Sequence, residues 1–401
     1  MKIHIHRGQQ QIGGSIIEIA SSLNRIFLDV GVNLNQDSNV VIPKIEGVFS
    51  GKKDCDAVFI SHYHSDHMGL LPSLIEDIPV YMGEKAYKVY EASANYRGKN
   101  IGFSPNFIYD KETVVVGDIS LTPFLCDHSA FDSYMFLIKV DNKTVLYTGD
   151  FRANGRLDFT KLLSALPKVD AIIIEGTTLS RETARKNIEE QQLEDIATNY
   201  LKSHNGPAFI MMSAMNVERI VTAHNVAKKT NRIFLDDIYT ADIVMSAGNF
   251  APKPNVDGGI RVFTTGGEEQ YERLIQYGDA KIGKYEIAKT PFLMCIRQSM
   301  RDYLIKLNEL VSFNNGVLFY GMWKGYMEQL ELQEFLSFMQ DKGLKLHILH
   351  TSGHADEMTI DKLIREVCPK VIIPVHTENE KWFDKYSDTS EIIYGKNIIE
   401  I

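Results

Sequence analysis

What the chain lacks narrows the field first. No apolar run approaches the roughly 18 residues that a membrane-crossing helix needs. Cysteine is scarce: Cys55, Cys126, Cys295 and Cys368 are widely scattered, with no Cys-x-x-Cys pair. That pattern argues against a disulfide framework and reads as free thiols in a reducing compartment. The start, Met1-Lys2-Ile3-His4-Ile5-His6-Arg7, alternates like a strand and has no apolar signal-peptide core. Cations are in deficit, 43 Lys and Arg against 52 Asp and Glu, a net charge of −9. This argues against charge-driven, non-specific duplex binding, though not against a narrow channel holding a few phosphates near metal ions. Repeats and low-complexity tracts are absent. These absences predict a cytoplasmic protein with no membrane partner.

What is present is an ordinary globular composition, 44% hydrophobic and 24% charged, over 401 residues, a length that suggests two or more domains. One stretch stands out. Ser61-His62-Tyr63-His64-Ser65-Asp66-His67 places four candidate metal ligands within six residues. It follows the apolar run Ala57-Val58-Phe59-Ile60, which reads as a buried strand, and precedes Met68 to Ile75, which reads as the start of a helix. His62 and His64, two apart, project to one side of an extended chain. Asp66 and His67 follow where the chain turns. Imidazoles beside a carboxylate make the mixed N/O donor set of hydrolytic zinc or manganese sites. A lone histidine is usually structural, but three histidines and an aspartate on one strand-to-helix loop rarely cluster by chance.

This His-x-His-x-Asp-His string resembles the signature of the metallo-β-lactamase fold. The rest of the chain extends the resemblance. Asp29, in Leu28-Asp29-Val30-Gly31, matches an aspartate that orients the metal loop by hydrogen bonds. His128 follows a long β run, and Tyr147-Thr148-Gly149-Asp150-Phe151 resembles the motif of a metal-bridging carboxylate. Glu175, ending the run Ala171 to Glu175, resembles the first motif of the β-CASP nuclease branch. From about Arg185 the pattern becomes an alternation of strands and helices, which predicts a parallel, doubly wound sheet. Ser213 and Asn216 precede a helix there. Separately each reads as a cap; together they offer polar groups to a phosphate. Ser352-Gly353-His354-Ala355 and Pro374-Val375-His376-Thr377-Glu378 resemble the second and third β-CASP motifs. His4, His6, His204, His224, His347 and His350 read as structural or surface residues.

The resemblance is closest to the J-type ribonucleases. It implies an α/β fold: a metallo-β-lactamase αββα sandwich over residues 1–190, completed by 346–401, with a doubly wound β-CASP domain inserted at 191–345. It implies that His62, His64 and His128 hold one divalent ion, and Asp66, His67 and His376 another, with Asp150 bridging them. Zinc is the first choice and manganese the alternative. Such a pair acidifies water and neutralises charge on an in-line phosphoryl transition state. His354 is the candidate general acid, oriented and kept protonated by Glu175, with Asp66 counted beside them as catalytic. Ser213, Asn216, Ser352 and Gly353 are the candidate substrate contacts. A histidine at position 376 goes with RNA-processing members, so the implied substrate is single-stranded RNA, cut from the 5′ end or internally. The chain stops soon after His376, where J-type ribonucleases continue into a dimerising domain; a homodimer is the assembly left to test. Two other readings compete: a hydrolase of a small thioester, lactone or phosphodiester, and an inactive RNA-binding scaffold.

Overall fold

The computed structural model describes residues 1–34, 40–181 and 186–401. Arg185, near which the sequence rhythm changes, lies outside them. The chain divides into two compact units: Met1–Ala94, Lys99–Asn187 and Gly353–Ile401 form the first, Asn95–Gly98 and Ile188–Ser352 the second.

The first unit is built on two seven-stranded sheets. One runs, in spatial order, Ile398–Glu400, Lys2–Arg7, Ile16–Ala20, Arg25–Val30, Ala57–Phe59, Val80–Gly83 and Asn106–Ile108. The other runs Glu391–Ile392, Val371–Val375, Ala171–Glu175, Lys143–Tyr147, Ser133–Val140, Ile119–Cys126 and Val114–Val116. Alternating residues of both sheets meet in one core, with Ile3, Ile5, Ile17 and Phe59 against Phe136, Ile138, Tyr147 and Ile173. The opposite face of the second sheet, with Met135, Leu146, Ile172 and Ile174, is covered by Ile360, Leu363 and Ile364 of the helix Glu357–Val367. Helix on sheet on sheet gives three of the four layers of the αββα sandwich.

Register decides where the loops meet. Lys143–Tyr147, Ala171–Glu175 and Val371–Val375 are parallel neighbours, so the segments carrying Asp150, Glu175 and His376 leave the same end of the sheet, at the carboxyl ends of the strands. In the first sheet Arg25–Val30 runs parallel to Ala57–Phe59, with Leu28 opposite Phe59, which sets Asp29 beside the segment that enters the histidine loop.

The second unit is a six-stranded, wholly parallel sheet in the order Ile260–Phe263, Ile233–Asp237, Phe292–Ile296, Ala208–Met211, Val317–Tyr320, Lys345–Ile348. Its strands are nearly continuous apolar runs, as expected where helices cover both faces. Arg219, 1% exposed, is held by Glu190 at 2.9 Å and by the carbonyls of Gly321 and Leu349.

One sequence expectation changes. The helix expected from Met68 is a single turn, Ser65–Met68, followed by a 3₁₀ turn, Leu71–Ser73. Pro72 lacks the N–H that would continue the ladder, and Leu74 is already extended. The helix Glu190–Lys202 buries Leu193, Ala197 and Leu201 and leaves Ile196 51% exposed. No helix among the described residues is long and apolar enough to cross a membrane.

Candidate metal centre

The strand Ala57–Phe59 ends in Ile60 and releases the loop that carries His62 and His64, and the turn Ser65–Met68 turns Asp66 and His67 inward. All the expected metal residues lie in the first unit. His62, His64, His128 and Asp150 form one group of donors, and Asp66, His67, Asp150 and His376 a second; within each, the donor atoms all lie inside 4.8 Å of one another. Asp150 belongs to both. Its Oδ2 is 3.2 Å from His67 Nε2, 3.7 Å from His62 Nε2 and 3.9 Å from His128 Nε2, and its Oδ1 is 3.8 Å from His376 Nε2.

The surrounding hydrogen bonds determine which ring nitrogens are bare. Ser61 Oγ donates its single proton to Asp29 Oδ2 at 2.7 Å, so its lone pair faces His62 Nδ1 at 3.0 Å. His62 therefore carries its proton on Nδ1 and leaves Nε2 open. His128 Nδ1 donates to the carbonyl of Gly353, which leaves its Nε2 open as well. Both open nitrogens lie 3.1 Å from His64 Nδ1. That atom has at most one proton, so at least one of these approaches has no proton between the two nitrogens. His67 Nδ1 donates to Asp29 Oδ2 at 2.8 Å. His67 Nε2 and Asp150 Oδ1 are buried without a hydrogen-bond partner among the described residues; the 3.2 Å approach of His67 to Asp150 is out of hydrogen-bonding alignment.

Protonation states follow. Burial first, then the neighbouring imidazoles, holds His62 and His128 well below the usual histidine range; burial takes His64 down to about 4. Burial opposes the charged form of Asp150, but His376, His67 and His354 hold its carboxyl well below its ordinary value. For His67, burial is outweighed by Asp150, Asp29 and Asp66, which raise it. Neutral imidazoles and ionised carboxylates are the states that bind metal; His62, His64 and His128 already favour the neutral ring, whereas His67 must release a proton to bind.

Beneath the loop Asp29 is fully buried and accepts four hydrogen bonds, from Ser61 N, Ser61 Oγ, His67 Nδ1 and, at 2.6 Å, Tyr147 Oη. It adopts φ +60°, and His376 φ +50°, left-handed conformations that non-glycine residues hold only when the surroundings enforce them. Glu175, also fully buried, accepts from Phe151 N at 2.9 Å and from His354 Nδ1 at 3.1 Å. The His354 ring keeps 21% of its surface exposed and lies 3.6 Å from Asp150 Oδ2. Burial lowers its pKa, but Glu175 and Asp150 together raise it above the usual range.

Two models of known families match this chain: a β-lactamase superfamily domain over residues 24–235, and a Zn-dependent metallo-hydrolase RNA specificity domain over residues 341–387. The first spans more than half of the sequence. The chain belongs to the metallo-β-lactamase superfamily. Its relatives include an RNase J-like protein of Methanocaldococcus jannaschii, 27% identical over 49% of this chain and 48% of that protein. Ribonuclease J of Mycoplasma pneumoniae is 22% identical over 94% of this chain and 68% of its own length. The chain thus spans about half of the first relative's length. A crystal structure of a protein of unknown function from Enterococcus faecalis V583 shares the fold, with a TM-score of 0.83 and 19% identity over 100% of this chain and 99% of that one.

The divalent cations that this metallo-β-lactamase fold implies fit the residues present: bare nitrogens converge, two buried donors are orphaned, and ionised carboxylates stand ready to balance the charge. Several contributors were not singled out in the sequence. Thr177 Oγ1 contacts His376 Nδ1, Tyr147 supports Asp29, and Arg152 pairs with Asp127 at 2.6 Å, both fully enclosed, clamping the segments that carry Asp150 and His128. A hydroxyl at a strand end has no diagnostic spacing, so only the aspartate before His128 and the arginine after Asp150 offered any signal.

The candidate substrate contacts divide. Gly353 belongs to the first unit, and a side chain there would meet Ser129 Oγ at 2.5 Å, so this position has no room for a Cβ. Ser213, Asn216 and Ser352 belong to the second unit. Asn216 caps the helix Val217–Lys229 by accepting from Arg219 N at 3.0 Å, and Ser213 Oγ accepts from Met215 N at 3.3 Å.

Proposed function

We propose that the chain is a metal-dependent ribonuclease that hydrolyses phosphodiester bonds of single-stranded RNA. The observation that carries this reading is Asp150, buried between two groups of donors, with the partly exposed His354 ring 3.6 Å away. The RNA specificity segment and the ribonuclease J relatives support the choice of substrate. In this reading His62, His64 and His128 hold one ion, Asp66, His67 and His376 the other, and Asp150 both; zinc suits the N/O donor set best. Bound there, the ions supply positive charge to a phosphoryl transition state and acidify water.

The chain's own residues do the rest. His354, kept protonated by Glu175 and Asp150, donates a proton to the leaving oxygen or to a non-bridging phosphate oxygen. Glu175 orients that ring from below and accepts from Phe151 N, so its position is tied to the segment carrying Asp150. Asp29 and Thr177 fix the proton on the outward nitrogens of His67 and His376 and keep their Nε2 atoms free to bind.

The test is one short RNA labelled separately at each end, with a DNA of matched sequence, in Zn²⁺ or Mn²⁺. RNA cleavage that His64→Ala abolishes is the expected result. Mononucleotides from the 5′ end would mean exonuclease action, internal fragments endonuclease action. Two bound metals with neither polymer cleaved would overturn the reading in favour of a small-substrate hydrolase.

A further inference from the structure

His4, His6 and Glu18 form another group of metal-ligating side chains, separate from the centre just described, with one donor atom from each inside 4.8 Å of the others. They lie on neighbouring antiparallel strands, Lys2–Arg7 and Ile16–Ala20, where His4 stands directly opposite Glu18. His4 Nδ1 is 3.9 Å and His6 Nε2 2.7 Å from Glu18 Oε2.

The backbone builds this approach. Residues two apart on a regular strand are separated by about 6.6 Å. The pairing register shifts between Ile5 and Arg7, so His6 is the extra residue of a β-bulge. A bulge bends its strand and re-aims a side chain. Here the His4 and His6 rings come to 3.7 Å between centroids, tilted by 32°. The His6 ring is further fixed by stacking on Phe27 at 5.5 Å. The three side chains keep 29%, 13% and 11% of their surface exposed, so water can complete a coordination sphere.

Arg25 holds the carboxylate from the other side. Its Nη2 donates to Glu18 Oε2 at 2.9 Å, while Nη1 is anchored on the carbonyls of Glu46 and Asp54. A carboxylate offers about four lone-pair positions, so this bond does not exhaust it, and ligating carboxylates are commonly hydrogen-bonded from behind. The guanidinium charge weakens the site relative to the central one.

We propose that His4, His6 and Glu18 form a second, peripheral site for a borderline transition-metal cation such as Zn²⁺, a two-histidine, one-carboxylate face open to solvent. Imidazole donors favour Zn²⁺, Ni²⁺ or Cu²⁺ over Ca²⁺ and Mg²⁺. Its consequence is structural. A cation here staples the first two strands together. Two residues beyond His6, the carbonyl of Gly8 accepts from His376 N at 2.6 Å, so the stapled strand also carries one support of the central site.

The experiment is equilibrium dialysis of the full chain against Zn²⁺, with bound metal counted, for wild type, His4→Ala and the bulkier His4→Gln. Both variants should bind one equivalent less than wild type and lose part of the Zn²⁺-dependent rise in melting temperature. In chelator they should melt with wild type, and RNA cleavage should be unchanged because neither touches the central cluster. His64→Ala, by contrast, should keep the peripheral equivalent. Equal stoichiometry in wild type and both His4 variants would overturn the proposal.

Discussion

Thr177 Oγ1 lies 2.7 Å from Nδ1 of His376, across 199 residues of sequence. The same hydroxyl is 3.2 Å from the carbonyl oxygen of His376, which can only accept. Its one proton goes to that carbonyl, so the ring nitrogen is the donor, and the neutral, metal-binding form of His376 presents a bare Nε2 3.2 Å from Asp66 Oδ2. One buried threonine therefore sets both the tautomer and the strained backbone of its partner. Thr177→Val should weaken binding of one metal equivalent by about 10–100-fold, the usual cost of losing such a supporting bond, and Thr177→Ser should restore it. Chelator competition on the purified variants measures this without recourse to activity.

His64 and His354 should separate metal binding from proton transfer. His64→Ala removes the nitrogen on which two others converge at 3.1 Å, so metal and cleavage should be lost together. His354→Ala should retain most of the metal while kcat falls by about 10²–10⁴, the range for a general acid. A His354→Ala enzyme that cleaves RNA at the wild-type rate would remove that histidine from the mechanism.

Asp29 should be the costliest single carboxylate to remove. Its four buried donors, on Ser61, His67 and Tyr147, would lose their acceptor together, and alanine is strained at φ +60°. Urea unfolding of Asp29→Ala should show a loss of about 3–5 kcal/mol, as for other buried charged pairs stripped of one partner. Asp29→Asn, which keeps the shape and tolerates the left-handed conformation, should lose less. A wild-type urea midpoint for the alanine variant would mean that the network contributes little to stability.

Asp236 should make the protein less stable as pH rises. It is 1% exposed, and its Oδ1 has no hydrogen-bond partner among the described residues. Burial, then the adjacent Asp237, pushes its carboxyl well above the usual range against the pull of Arg297. Above about pH 4 the unfolded chain releases this proton while the folded chain keeps it. The folded state then binds more protons, so this group's contribution falls with increasing pH. Asp236→Asn should flatten that slope and stabilise the protein at pH 8 more than at pH 5, as read by thermal melts at both.

The sequence alone determined the elements and the candidate ligands that announce themselves locally. Ala57–Phe59 and Ala171–Glu175 were readable because a short apolar run between polar breakers has few alternatives to a buried strand. His62, His64, Asp66 and His67 were readable because four donors on one loop are improbable otherwise. The helix expected from Met68 failed at Gly69 and Pro72, where local backbone chemistry outweighed an apolar stretch.

Only the tertiary structure decided the rest. It brought Asp150, Glu175 and His376 to one end of the sheet through parallel pairing of distant strands, and it fixed which nitrogen of His62, His128 and His376 faces inward through Ser61, Gly353 and Thr177. It also drew His4 and His6 together at a bulge that no alternation in the first seven residues foretells. Hydrogen bonds and register are relations between residues far apart in the chain. A sequence names the residues able to make such bonds; folding selects the pairs that do.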